Sequence, residues 1–369
     1  MLASQPTWSL VPEARVRHSD RYFAWFDYLR ILLAIGVFVT HAGAHPFGSD
    51  NFGNACVQVF FALSGFLIGG ILLQSLPADL PRFYFNRSTR IWVPYAIAIG
   101  LLFAGSALQH QLHDPKVWEF FFYKATFVYN FFGPPQLARF AARMPLHGTG
   151  NHFWSICVEE QFYLFAPFLM VFLRRRRAIV VAALVAIVVL NFAYQYAFAS
   201  VALGVLLAIS RDEFGDWYLR PGGVALVVGM LGAAVGLVCV GCLSYGSAVP
   251  FAAVGVVALL ARPRRPLKLG PWLGGISYPF YLDHWIGLFF QKTIVRHLHT
   301  GPVLTGIGAF AIAFTACAAH YRFIDSAIMA RRAAWFTPRR GLIACCCGLA
   351  LVALGLVVGV ALNASRPAS

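Results

Sequence analysis

Charge is scarce in this chain. Only 12% of its 369 residues are Asp, Glu, Lys or Arg, against roughly 25% in ordinary soluble domains. So little charge, spread over the whole length, cannot coat a surface in water, whereas lipid tolerates it. Acidic residues are the scarcer kind, with 14 facing 29 basic ones and a net charge of +15. The basic residues stand in short clusters between apolar runs, which is a membrane-topology pattern and not a nucleic-acid-binding face. The eight cysteines lie in or beside apolar segments. None has histidines at metal-ligand spacing, and no pair outside those segments points to a disulfide, so they read as small packing residues. No metal is expected. No cleavable leader is expected, because the first 22 residues are mixed and polar, with Glu13, Arg15, Arg17, Asp20 and Arg21. The first apolar run is therefore expected to stay as an anchor. No internal repeat is visible.

What the chain has is apolar length: 59% of its residues are hydrophobic and 15% aromatic. A membrane span takes about 20 mostly apolar residues. On that rule spans are predicted near 24–44, 55–75, 89–108, 153–173, 178–195, 197–209, 222–241, 247–261, 272–292, 303–322 and 341–362. The sixth and eighth are short, so the expected fold is an all-α membrane bundle of ten to eleven transmembrane helices. The expected bundle covers 24–362, with tails at 1–23 and 363–369. With the N-terminus cytosolic, 21 Lys and Arg fall on the cytosolic side and seven outside. That asymmetry sets the orientation in a cytoplasmic membrane. The aromatic-rich stretch 117–133 is open to an interfacial or a re-entrant placement. The long outer loop 109–151, with His45 and His152 flanking it, reads either as an acceptor-facing loop or as a connector.

Ionisable groups at span depth cost on the order of 3 kcal/mol each. The first span carries Asp27, Arg30 and His41. Eleven residues separate Arg30 from His41, which is about 16 Å of rise and about 20° of rotation on a helix. Both side chains thus share a face. The fourth span opens with Trp154 and Ser155 and then carries the adjacent carboxylates Glu159 and Glu160, which point about 100° apart. One is expected to face the site and the other to pair with a basic group. The ninth span holds Pro279, Tyr281, Asp283 and His284. Arg87 and Arg90 are three residues apart, so both guanidinium groups share a face suited to an anion. The plain alternatives are a snorkelling anchor for Arg30, positive-inside charge for Arg87 and Arg90, and a satisfied core histidine for His284.

These residues together carry a resemblance. Phe26-Asp27-Tyr28-Leu29-Arg30 with His41, the run Val59 to Leu67 around Ser64-Gly65-Phe66, Arg87 to Pro94, Trp154 to Tyr163, and Gly275 to His284 occur in that order on successive spans. The chain resembles the acyltransferase-3 family of membrane O-acyltransferases from about residue 24 to 325. Cys157 stands where that family often has serine or another small residue. Some members carry a second, esterase-like domain, for which no room is expected here.

The resemblance implies transfer of an acyl group, usually acetyl from acetyl-CoA, to a glycan, a lipid-linked sugar or another hydroxyl acceptor. It points to His41 as the catalytic residue, supported by Arg30, Arg87, Arg90 and the Glu159–Glu160 region. The expected arrangement has Arg30, Arg87 and Arg90 on the CoA phosphates, His41 as general base or acyl-histidine nucleophile, and Glu159 or Glu160 orienting it. Trp154, Ser155, Tyr281 and His284 are expected near the acceptor or the thioester oxygen. A transporter or flippase is the rival reading of the same buried charges, and the absent repeat weighs against it.

Overall fold

In a computed structural model, residues 22–44, 46, 51–194, 197–298 and 301–364 are described. The tail before residue 22, His45 and residues 365–369 lie outside them. Sixteen α-helices follow one another: α1 (Ala24–His41), α2 (Phe52–Gln74), α3 (Leu80–Leu108), α4 (Pro115–Ala125), α5 (Tyr129–Phe132), α6 (Leu137–Phe140), α7 (Trp154–Pro167), α8 (Arg177–Tyr194), α9 (Phe198–Phe214), α10 (Pro221–Cys239), α11 (Tyr245–Leu260), α12 (Gly270–Asp283), α13 (Trp285–Leu298), α14 (Pro302–His320), α15 (Ser326–Trp335) and α16 (Pro338–Ala364). No β-strand occurs among the described residues; a single isolated bridge joins Phe23 to Arg264.

Eight helical segments among the described residues are long and apolar enough to cross a membrane. Three predicted spans fall on shorter helices. The 197–209 segment is α9, with 17 residues. The 247–261 segment is α11, with 16 residues. The 272–292 segment is split at His284 into α12 and α13. The stretch 117–133 forms α4 and α5 and buries Val117, Phe120, Phe121, Tyr123 and Tyr129.

Local chemistry sets the helix starts. Asp114 caps α4 by accepting from the Lys116 backbone N–H, with Pro115 in the first turn. That proline needs no donor there, and its ring pre-sets the helical φ. Ser244 caps α11 in the same way through Ser247. Nearby, Arg143 grips Asp114 with two hydrogen bonds of 2.7 Å. The bidentate guanidinium holds the Asp114 carboxyl down to about 2.

Close packing rests on small residues, as expected where lipid supplies no hydrophobic drive between helices. The α2–α9 pair is the tightest case. A Cβ placed on Gly65 would run into the Val201 carbonyl oxygen, and one on Gly204 into the Ala62 carbonyl oxygen. Glycine at both positions lets the two backbones touch.

Helices α1 and α12 lie side by side and parallel. Asp27 near the start of α1 touches Gly270 and Gly274 at the start of α12, and the Phe23–Arg264 bridge is parallel. Two parallel helices in that register bring their far ends, His41 and His284, to the same depth. This pairing positions the site.

Candidate active site

A cavity of about 360 Å³ runs between α1, α2, α3, α7, α9 and α12. Its lining on α2 extends from Val57 to Gln74, about 26 Å of helix rise. The end near Gln74 is basic: Arg30, Arg87, Arg90 and Arg211 all line it. The walls are largely apolar, with Phe60, Phe61, Phe66, Leu67, Ile68 and Ile91. The other end carries the hydroxyls of Ser155 and Tyr281, which are 2.5 Å apart. The lining is thus long and narrow, with cations at one end and hydroxyls at the other.

The basic end is only partly neutralised from within. Arg30 pairs with Asp27 at 3.3 Å, and Tyr22 donates to the same carboxylate. Arg211 pairs with Asp216 at 2.8 Å while its guanidinium lies over the rings of Phe23 and Phe66. Arg87 lies between the rings of Phe83 and Tyr163, 5.8 and 5.7 Å from their centroids. Its buried Nε has no hydrogen-bond partner. A buried donor left unmade costs free energy.

Three imidazoles cluster beyond the hydroxyl end. His41 Nδ1 is 2.9 Å from His284 Nε2, and the two rings are close to coplanar, with a 6° interplanar angle and centroids 5.2 Å apart. His284 is fully buried, and its Nδ1 is 2.8 Å from the Tyr281 carbonyl oxygen. His152 lies against both, with ring centroids 4.5 Å from His284 and 5.9 Å from His41. Its Nε2 is 3.1 Å from the Leu282 carbonyl oxygen. His41 itself is exposed and is not among the residues that line the cavity.

The carboxylates stand elsewhere than expected. Glu159 lines the cavity and accepts from Ser64 Oγ at 2.6 Å. Tyr163 donates to that same Ser64 oxygen at 3.2 Å. Glu160 is 2% exposed and accepts from Trp92 Nε1 at 2.7 Å. Neither glutamate hydrogen-bonds to His41, so the expected carboxylate partner is replaced by the imidazole of His284. The reason is depth. Glu159 lies more than a helical turn from Ser155, toward the basic end, where its carboxylate meets Ser64. Glu160, rotated about 100°, meets an indole instead of a basic group. Trp154 does not line the cavity; it packs edge-on against Phe61 at 5.8 Å.

The sequence named Ser64 within a motif and His152 beside the outer loop without a role for either, and did not single out Arg211 or Gln74. His152 stands two residues before the nominated Trp154, and Arg211 follows the sixth predicted span by two residues. Both were visible as polar groups at span ends, but their convergence needs the tertiary fold. Among the described residues, no group of three or more His, Cys, Asp or Glu is placed to hold a metal ion.

A peptidoglycan O-acetyltransferase, OatA of Listeria monocytogenes, is 32% identical over 170 residues, 43% of this chain and 26% of that protein. The O-acetyltransferase OatA of Staphylococcus aureus is 28% identical over 169 residues, with the same two shares. The match thus spans about a quarter of these relatives' length. No solved structure matches. The family model described as an acyltransferase domain matches residues 23–322, which takes in the basic end, the cavity and all three histidines. The chain belongs to the acyltransferase-3 family.

Proposed function

We propose that this protein is a membrane-embedded O-acyltransferase that moves an acetyl group from acetyl-CoA to a carbohydrate hydroxyl on the opposite face of the membrane. One observation carries the reading: a single cavity joins four arginines to a pair of hydroxyls, and the Tyr281 ring at that end lies 6.2 Å from the ring of His284, the partner of His41. The arginines suit the phosphates of CoA, because the guanidinium fork matches phosphate oxygens. The apolar walls suit the thin pantetheine arm, which crosses low-dielectric protein where a nucleotide would not. The names of the relatives make a peptidoglycan glycan the first acceptor to test.

In this scheme His41 takes the proton of the acceptor hydroxyl. The oxygen attacks the thioester carbonyl carbon. Ser155 and Tyr281 donate hydrogen bonds to the oxyanion that forms. The C–S bond then breaks, and the CoA thiolate recovers the proton from His41. Atoms and charge balance without a metal.

The donor end lies in the cytosol. That orientation follows from the 21 Lys and Arg on one side against seven on the other. Counting α9, α11 and the broken pair α12–α13 as one pass each, the chain makes eleven crossings of the cytoplasmic membrane. Residues 24–362 form one bundle.

The break at His284 also favours a second reading, a transporter or flippase, since discontinuous helices build transport sites. The test is label transfer from [14C]acetyl-CoA to soluble peptidoglycan fragments by purified protein, beside flux into vesicles. Labelled, alkali-sensitive ester that disappears in His41→Ala supports acyl transfer. Flux of the fragments with no ester formed overturns it.

A further inference from the structure

We infer that His284 is a positioning residue that fixes His41 in the tautomer whose Nε2 carries the reactive lone pair, and that the break between α12 and α13 is what makes this possible. The inference rests on the acyltransferase reading and deepens it.

The argument begins at the helix end. The last turn of an α-helix leaves carbonyls without intrahelical donors. Helix α12 ends at Asp283 and α13 begins at Trp285, so Tyr281 and Leu282 lie in such a turn. Each of these carbonyls takes an imidazole. Tyr281 O is 2.8 Å from His284 Nδ1, and Leu282 O is 3.1 Å from His152 Nε2. A continuous helix would have committed both oxygens to its own backbone.

A carbonyl oxygen only accepts, so His284 Nδ1 carries the proton. The described partners of His284 include no carboxylate, and a buried imidazolium without one would be costly. His284 is therefore neutral, and its Nε2 has a bare lone pair. That nitrogen sits 2.9 Å from His41 Nδ1. Two unprotonated nitrogens do not bond, so His41 Nδ1 donates. The Nε2 of neutral His41 is then unprotonated and faces away from His284. When it takes a proton, the new imidazolium still has its acceptor in place. An imidazole anchored on a backbone carbonyl thus does the orienting work that a carboxylate often does, and it adds no fixed charge at membrane depth.

His284→Leu keeps the bulk and removes the acceptor. His284→Gln offers an amide N–H to the Tyr281 carbonyl and a carbonyl to His41. We expect His284→Leu to lower kcat by about 100-fold, inside the range a general base contributes, with KM for acetyl-CoA unchanged within about threefold. We expect His284→Gln to recover to within about tenfold of wild type. A His284→Leu protein with near wild-type kcat overturns the inference, as does a His284→Gln protein no better than His284→Leu. A purely structural role would not produce that rescue.

Because either variant can fail to fold, the wild-type tautomer is read independently. 15N shifts of the imidazoles, with His41 assigned by its loss in His41→Ala, should show a protonated Nδ1 and a bare Nε2. The reverse pattern overturns the inference. Failure of the function itself is distinguishable. There the wild type makes no ester, or His41→Ala makes as much as wild type, whatever the tautomer.

Discussion

Replacing Arg87 with glutamine should weaken acetyl-CoA binding without slowing the chemical step. The expected size follows from how Arg87 is held. Its guanidinium is stacked between Phe83 and Tyr163 and its Nε is unpaired. Little internal bonding is lost with the side chain, so the change reports mainly the missing ligand contact. A hydrogen bond to a charged group contributes about 1.5–3 kcal/mol, which converts to roughly 10- to 150-fold in Kd at about 1.4 kcal/mol per tenfold. Three other arginines share the load, so binding weakens and does not vanish. Calorimetric titration of the solubilised protein with acetyl-CoA measures the effect. Arg87→Lys, which keeps the charge and loses the fork, should fall between wild type and Arg87→Gln. Arg143→Gln removes an arginine engaged with Asp114 on the 109–151 loop and should leave binding unchanged. Arg87→Gln binding within twofold of wild type would refute the assignment of this end to the phosphates.

Other expectations test other parts of the account. Gly65→Val drives a side chain into the Val201 carbonyl and should destabilise by about 1–3 kcal/mol as an overpacking change. Gly70→Ala meets nothing within 4 Å and should be near neutral in the same thermal unfolding assay. Tyr281→Phe removes the hydroxyl that Ser155 holds at 2.5 Å. It should lower kcat for acetyl transfer by about 100- to 1,000-fold, as loss of one oxyanion donor does, read as CoA release in the presence of acceptor. The Asp114 carboxyl is depressed to about 2 from an ordinary value near 3.9. Its contribution to stability is therefore present above about pH 4 and is lost as pH falls through 2. Asp114→Asn should lower the melting temperature at pH 7, with the gap to wild type closing as pH approaches 2.

Much of this was legible in the chain because lipid imposes a simple rule on sequence. Apolar runs of fixed length announce helices, and the predicted runs fall on helices even where α9, α11 and α12 are short. Arg30, Arg87 and Arg90 stood out as basic groups beside apolar runs, a place that positive-inside charge also explains, and their gathering on one cavity needed the fold. The partner of His41 was not legible. It depends on α1 and α12 running parallel in a register set by Asp27 against Gly270 and Gly274, and nothing in either segment alone encodes that. Adjacent carboxylates on α7 drew the expectation of an acid partner. Their depth on the helix, closer to the arginines than to His41, sent Glu159 to Ser64 and Glu160 to Trp92. The break at His284 was visible only as a nearby proline, while its consequence, two carbonyls that each hold an imidazole, belongs to the folded chain.

The most direct test of the central claim is sided acetyl transfer in proteoliposomes. Orientation is fixed by protease access to the Arg174–Arg177 loop, a glycan acceptor is sealed in the lumen, and acetyl-CoA is supplied to one face at a time. The account predicts acetylated acceptor in the lumen only when acetyl-CoA reaches the face carrying Arg30, Arg87 and Arg90, and none with His41→Ala. Equal acetylation from either face, or acetylation that survives the loss of His41, would contradict it.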